Sequence, residues 1–237
     1  GSEAILGGGQ KEVLEQIEFE IENIYAAWPM FFESKDHQQL CLSIKTLSDF
    51  LSMKGRAQEG INLFSSALDF ISNRKNPNVL VLTTLNYRIA SLYQRMGNIL
   101  KTQEYAEKNL SLLESTSHTV ELGPVLRLLA SIYFHQGDLL KAKTLYEAEL
   151  EVYKGENNVR VLGLTMNNLG LVHSQLGQYT EAEPYLLESI SIARKLESLG
   201  GLAYNLHTLA VLYLLMNKPG QAETVLRESL DITRKID

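Results

Sequence analysis

The chain has few of the residues that carry covalent or metal chemistry. Its one cysteine in 237 residues, Cys41, cannot form an internal disulfide. Because no signal-like apolar segment is seen either, we expect a cytoplasmic location. The five histidines never pair at metal-ligand spacing, and HExxH, CxxC and GxxxxGK motifs are absent. We therefore expect no catalytic residues, no metal site and no cofactor, in a protein that is not an enzyme.

Long apolar runs and an excess of basic charge are also missing. The longest apolar run covers residues 209–216, far short of the roughly 18 residues that span a membrane. The chain has 28 acidic and 22 basic side chains and a net charge of -6. Nucleic-acid affinity depends on a basic surface that neutralises phosphates. Neither a membrane nor a nucleic acid is therefore expected as a partner.

A short turn motif, by contrast, recurs about every 40 residues. Its turn residues are Gly55, Gly97, Gly137, Gly177 and Asn217. Apolar residues at i, i+3, i+4 and i+7 on both sides of each turn predict two amphipathic helices per repeat. A period of this length is typical of stacked helical hairpins.

The residue types around each turn also recur. The residue seven positions before the turn is small, as is the one five positions after it, which lets paired helices approach closely. These small residues are Ser48, Ala90, Ala130, Gly170 and Ala210, then Gly60, Thr102, Ala142, Ala182 and Ala222. A ring stands four positions before the turn in every copy except the first, where Leu51 takes its place. The repeats therefore share one pattern of helix packing.

This pattern resembles the tetratricopeptide repeat (TPR), most closely at residues 167–190. The usual family repeat has about 34 residues, and the longer copies here are similar to those of kinesin light chains and bacterial regulatory proteins. The resemblance implies an all-α, right-handed superhelical α-solenoid of about five hairpins. We predict a flexible stub with a tag remnant at 1–9 and a single TPR domain at 10–237. Its parts are a capping helix at 10–35 and repeats at about 38–78, 79–117, 118–157, 158–197 and 198–237.

Both ends of the array carry expectations of their own. The helix at 10–35 has an apolar stripe that predicts a cap over the first repeat, with Pro29 expected to end or kink it. At the other end we expect that no helix covers Val211, Leu214, Val225 and Ile232 as a set, so that part of this surface lies open. Such a patch favours either self-association or a parent chain that continues.

A second resemblance concerns the leader and the first hairpin. Residues 14–31 and 54–68 are similar to the segment that joins the ATPase to the repeats in bacterial signal-transducing ATPases of the STAND class. The similarity rests on Glu20, Asn23, Ala26, Ala27, Trp28, Gly55, Arg56, Glu59 and Gly60. A ligand-sensing region of such a regulator is therefore the alternative to a free-standing interaction module.

The family resemblance also implies a binding surface. First helices of TPR hairpins line a concave groove, with groove residues ten, nine, six, three and two positions before the turn. From this set we predict contacts to a protein or peptide from Lys45, Tyr87, Arg88, Gln94, Arg95, Arg127, Ser131, His135, Asn167, Asn168, Gln175 and His207. The full set contains four basic residues and one acidic residue, which favours an acidic partner. In the alternative interpretation Arg127 and Asn168 only join neighbouring repeats.

Overall fold

The computed structural model describes residues 10–33, 36–114, 122–154 and 158–236, and every regular element in them is an α-helix. The predicted stub at 1–9 lies outside the described residues. Contacts divide the chain into two compact units, residues 1–121 and 122–237. A single continuous domain at 10–237 stays a prediction, and each unit is described here by itself.

The first unit contains a leading helix and two hairpins. Its helices are α1 (Gln10–Phe31), α2 (His37–Met53), α3 (Ala57–Ser72), α4 (Val79–Arg95) and α5 (Ile99–Glu114). The first hairpin is α2–α3 and the second is α4–α5. Their core is built from fully buried side chains such as Phe50, Phe64, Leu85 and Ile89. The predicted hairpins are therefore confirmed in this unit.

Helix α1 covers the first hairpin, as predicted. Trp28 is buried with its ring centroid 5.9 Å from that of Phe64 in α3. At the rim, Arg56 donates two hydrogen bonds to Glu59 (2.7 and 2.8 Å), and the Tyr25 hydroxyl donates to the same carboxylate. The residues that resemble the STAND leader thus join α1 to α3. Helix α1 runs two residues past Pro29, so the proline does not end it.

The second unit contains three hairpins, α6–α7, α8–α9 and α10–α11. The helices are α6 (Leu122–Gln136), α7 (Leu139–Lys154), α8 (Val159–Gln175), α9 (Tyr179–Lys195), α10 (Leu199–Leu215) and α11 (Pro219–Ile236). Pro219 occupies the first position of α11, where a missing N–H leaves no helical bond unmade. Helix α9 continues through Pro184. The eleven helices of the described residues thus comprise one leading helix and five hairpins.

The predicted turn residues all adopt the left-handed conformation that ends a helix tightly. The φ angles are +70° to +83° at the four glycines and +56° at Asn217. At Gly97, for example, the N–H of Gly97 donates to the Gln94 carbonyl (3.0 Å) and that of Asn98 to the Tyr93 carbonyl (3.0 Å). These bonds satisfy carbonyls that the helix end would leave free.

The small residues on either side of each turn are buried between the paired helices, as predicted. All ten are buried. The closest approach is at Gly170 in α8, where a Cβ would lie 2.4 Å from Leu186 Cδ2 and 2.5 Å from its Cγ. The α8–α9 hairpin therefore depends on the absence of a side chain at this position.

Glu197, between α9 and α10, adopts the same left-handed backbone conformation as the turn residues, although glutamate does not favour it. Its φ is +52°, and its N–H donates to the Arg194 carbonyl (3.1 Å) as a turn glycine does. A non-glycine residue in this region costs roughly 1–2 kcal/mol. The connection between the α8–α9 and α10–α11 hairpins therefore has the same tight turn as the connections within each hairpin.

Replacing Glu197 by Gly is expected to stabilise the protein by about 1 kcal/mol, because the backbone strain is lost. Asn217→Gly is the matched control. Its free energy of unfolding is expected to rise by only a few tenths of a kcal/mol, since Asn tolerates this conformation better than Glu does. Urea denaturation of both variants measures the difference. A destabilised Glu197→Gly would show that the exposed Glu197 side chain contributes more than the strain costs.

Within the described residues, no helix is both long and apolar enough to cross a membrane.

Candidate functional site

The candidate site consists of the outward residues of the first helix in each hairpin. We call these the first-helix surfaces: that of the first unit lies on α2 and α4, and that of the second unit on α6, α8 and α10. Their members stand ten, nine, six, three and two positions before the turn. Each helix is held by the turn at its end and by its buried stripe, so these side chains lie on a rigid backbone.

In the first unit three predicted residues are exposed, namely Lys45, Gln94 and Arg95. Neither Lys45 nor Arg95 forms an ion pair with any described residue. Arg88 is different, because its Nη1 lies 3.0 Å from Asp49 Oδ1 on the preceding first helix. Its guanidinium also lies 5.3 Å from the ring centroid of the half-buried Tyr87. Arg88 therefore joins α4 to α2.

In the second unit Arg127 faces a buried carboxylate. Arg127 Nη1 lies 3.3 Å from Oε1 of Glu149, whose side chain is 0% exposed. Neither Glu149 oxygen makes a hydrogen bond of ordinary geometry. Burial raises the pKa of Glu149 to about 7, although Arg127 and the nearby Thr165 hydroxyl both oppose the shift. The geometry favours the interpretation in which Arg127 joins helices within the array.

The position of Glu149 in the repeat explains why its two oxygens lack hydrogen-bond partners. In two other hairpins the residue twelve positions after the turn donates a hydrogen bond to the first helix. Asn109 donates to the Thr83 carbonyl (2.9 Å) and Ser229 to the Ala203 carbonyl (2.8 Å). A carboxylate has no proton to donate, whereas a protonated carboxyl group has one. Glu149 therefore stands where two of the other hairpins have a donor.

Ser131 and His135 complete the predicted surface on α6. Ser131 lies against the hydroxyl group of Tyr146, and burial together with the Glu149 charge raises the pKa of that tyrosine. His135 is exposed, with Nδ1 2.7 Å from the Ser131 carbonyl oxygen. Tyr146 thus stays neutral beside Glu149, and His135 is the member that can reach a ligand.

The remaining predicted residues of the second unit divide between surface and interior. Gln175 and His207 are exposed and Asn168 is half-buried. Asn167 is 2% exposed, and its side-chain oxygen has no hydrogen bond. Asn167 is therefore a residue of the helix packing rather than of the first-helix surface.

The prediction missed apolar residues on the same helices. Thirteen positions before the turn, Leu42, Leu164 and Tyr204 are exposed. Helix α10 also exposes Leu215, which belongs to the groove set but was not among the predicted contacts, and this helix has apolar residues on every side. The sequence contained the signal, since a helix that is apolar all round has more apolar surface than one hairpin can bury.

The electrostatic character of the surfaces follows from these pairings. Asp49 neutralises Arg88, and an ionised Glu149 neutralises Arg127. Among the basic members of the first-helix surfaces, Lys45 and Arg95 are then the two that the described contacts leave unpaired, and both belong to the first unit. In the second unit the exposed members of the first-helix surfaces are apolar, histidine or glutamine.

The last hairpin exposes a further apolar surface. Leu226 and Leu230 are 37% and 49% exposed, whereas their equivalents in the preceding repeat, Leu186 and Ile190, are 0% and 3% exposed. We call Leu226 and Leu230 of α11, with Val211 and Leu214 from the first-helix surface of α10, the terminal surface. In the second unit, α10 covers Leu186 and Ile190. No described helix covers α11 in the same way.

Of the four residues that the sequence named at this end, Val211 and Leu214 form the open part. Val225 is half-buried and Ile232 is 8% exposed, and both pack in the core of the hairpin. They stand eight and fifteen positions after the turn and face α10. Residues nine and thirteen positions after the turn face the next hairpin, which is why Leu226 and Leu230 replace them.

A cavity of about 310 Å³ lies between α1 and α2 in the first unit. Its walls are mostly apolar and include Ile24, Trp28 and Leu47, with Gln39 and Thr46 as polar members. Among the described residues no three His, Cys, Asp or Glu side chains are grouped as metal ligands. The described side chains therefore offer surfaces for contact and no cluster of metal-binding groups.

Comparison with known proteins identifies the repeats. The family model described as tetratricopeptide repeat matches residues 80–155 and 161–235, well over half of the chain. No curated protein sequence matches the chain.

Three solved structures show a similar fold. BtubC (BKLC) from P. vanneervenii is 18% identical with a TM-score of 0.81, over 94% of this chain and 92% of that one. A putative kinesin light chain with nearly identical TPR-like repeats from Podosopora anserina is 19% identical (TM-score 0.68; 86% and 99% covered). The apo form of RapI is 16% identical (TM-score 0.73; 83% and 71% covered). At such identities the likeness concerns the fold alone.

Proposed function

We propose that this chain, which belongs to the tetratricopeptide repeat family, is an interaction module. In this proposal the module holds a protein or peptide segment on its first-helix surfaces. Repeats of this family indicate a protein-interaction scaffold. The observation that supports the finer proposal is the exposure of Lys45 and Arg95 without ionic partners in the first unit. Binding without catalysis is part of the proposal.

An acidic segment is the partner that this surface fits. Two cations that lie on rigid helices and lack partners gain energy from a carboxylate without breaking an existing ion pair. Arg88 and Arg127 contribute less, because their charges are already balanced by Asp49 and Glu149. An acidic segment is therefore proposed to bind the first-helix surface of the first unit.

Contacts of a different kind are proposed for the second unit. Leu164 and Tyr204 offer apolar area, and Gln175, His135 and His207 offer donors and acceptors beside it. Apolar anchors with a polar rim are common in protein interfaces. Asn168 is the half-buried amide at this surface and is proposed to bond the backbone of a bound segment.

The test is a selection from a displayed library of random peptides against the protein. We expect the selected peptides to be enriched in Asp and Glu, and Lys45→Glu with Arg95→Glu to weaken their binding about tenfold or more. Lys75→Glu with Lys195→Glu, which changes the charge equally at exposed sites off the surface, is the control. Peptides without acidic enrichment, or equal binding by both double variants, would contradict the proposal.

Arg88→Glu and Arg127→Glu are unsuitable for this test. They would set new carboxylates against Asp49 and against the buried Glu149, so a loss of binding could reflect unfolding.

We also propose that the chain self-associates through the terminal surface, because Leu226 and Leu230, one turn apart on α11, are both exposed there. The STAND resemblance and the cytoplasmic location stay predictions. A signalling role as the ligand-sensing region of such an ATPase would use the same first-helix surfaces.

A further inference from the structure

The terminal surface has a charge pattern that depends on direction along α11. Leu226 and Leu230 form its apolar stripe. At 100° per residue, Glu223 and Arg234 lie within about 40° of Leu230 around the helix. Glu223 stands in the first half of α11 and Arg234 in its last turn. One end of the stripe is therefore flanked by an acid and the other by a base.

We propose that a second copy of this chain covers the terminal surface by packing its α11 antiparallel against α11 of the first, a mode that rests on the self-association proposed above. A two-fold axis between residues 228 and 229 brings Leu226 and Leu230 of both copies together. The same axis sets Glu223 of each copy opposite Arg234 of the other. Two equal ion pairs then flank one apolar seam.

The antiparallel direction follows from the charges. A parallel pair in register would place Glu223 beside Glu223 and Arg234 beside Arg234. Antiparallel helices also bring opposite ends of the helix dipoles together. Glu223 now pairs with Arg227 (2.6 Å) and Arg234 with Asp231 (3.9 Å), but all four side chains are exposed. Such pairs contribute little stability, so exchanging them costs little.

The proposed contact also limits the size of the assembly. In a two-fold contact both copies use the same surface, and neither retains a free terminal surface afterwards. The assembly therefore stops at two chains. A head-to-tail contact would instead leave one terminal surface open and allow longer chains to form.

The first measurement is sedimentation velocity of the protein over a concentration series that reaches the high micromolar range. We expect a monomer–dimer equilibrium without larger species. Leu230→Glu is expected to weaken the dimer at least tenfold, because it places a charge in the apolar seam. Leu140→Glu, at an exposed leucine on α7 outside the surface, is the control and is expected to dimerise normally. Helicity and thermal unfolding confirm that both variants are folded.

The second measurement exchanges the charges. Glu223→Arg and Arg234→Glu are each expected to weaken the dimer about tenfold, since each single change places like charges opposite one another. The double variant is expected to recover most of the wild-type affinity, because both ion pairs reform with their signs reversed.

The outcomes separate the two proposals. A protein that remains monomeric, or a dimer that survives Leu230→Glu, would overturn both self-association through this surface and the antiparallel pairing. A dimer that Leu230→Glu disrupts, but that the double charge variant does not restore, would leave self-association standing and overturn the antiparallel pairing. Growth beyond a dimer would overturn the two-fold contact.

Discussion

Glu149→Gln is expected to raise the free energy of unfolding by about 3 kcal/mol at pH 8 and to change it little at pH 5. Glutamine has the shape of a protonated glutamic acid and carries no charge. Glu149 is fully buried and its pKa is raised to about 7 from an ordinary 4.5. A shift of one pKa unit corresponds to about 1.4 kcal/mol, so a shift of this size gives the expected 3 kcal/mol.

The direction follows from where each state loses its proton. Between pH 4.5 and 7 the folded protein keeps the Glu149 proton while the unfolded chain has lost it. Folding is then linked to proton uptake, and stability falls as the pH rises through this window. Below pH 4.5 the contribution is fully present, and above pH 7 it is lost. The wild type should therefore lose stability between pH 5 and 8, while Glu149→Gln should not.

Urea denaturation at pH 5, 6, 7 and 8 measures this difference. His173 has the opposite effect in the same window, because burial lowers its pKa, and stability then rises with pH. Both proteins should therefore be compared again in a His173→Phe background, which removes that titration and keeps a ring against Tyr185. Carboxyl groups with a lowered pKa, such as Glu59 and Asp138, act below this window. Parallel curves for the two proteins would show that Glu149 is ionised throughout.

Gly170→Ala is expected to destabilise the protein by about 2 kcal/mol. The new Cβ would lie 2.4 Å from Leu186 Cδ2 and 2.5 Å from Cγ, and Leu186 is fully buried. Overpacking of this kind costs roughly 1–3 kcal/mol. The higher helix propensity of alanine offsets part of that destabilisation, but the free energy of unfolding still falls.

The matched control is Gly200→Ala on α10, where an added Cβ meets nothing within 4 Å. This variant is expected to gain about 0.5 kcal/mol, because alanine loses less backbone entropy than glycine in a helix. Thermal and urea unfolding of both variants report the contrast. Equal effects at the two positions would mean that α8 and α9 separate without cost and that the close contact is not required.

Much of the fold could be predicted from the repeat. The turn residues, the buried small residues and the capping helix follow from local rules, because a left-handed turn favours Gly or Asn and a close helix contact favours a small side chain. The burial of Gly60, for example, needs no knowledge of its neighbours. Helix bounds were less predictable at α1, which continues past Pro29 because its first-hairpin contacts hold it.

The candidate site was less predictable than the fold. Arg88 and Arg127 fit the groove pattern, yet each contacts a carboxylate on another helix, and these partners are 39 and 22 residues away in the sequence. Asn167 shares the pattern of Asn168 but is buried. Adjacent positions on one helix point about 100° apart, so a small rotation of the helix decides which of them is exposed.

The sequence by itself determined the number of hairpins, their turns and the small residues between them, because each depends on a few neighbouring residues and recurs five times. Only the tertiary structure decided which charges remain unpaired and which apolar residues stay open. Ion pairs and the burial of apolar residues both depend on side chains from separate helices. The repeat pattern does not specify how far each helix is rotated about its axis. The packing of the helices buries the carboxyl group of Glu149. It leaves Leu226 and Leu230 exposed, because no described helix packs against them.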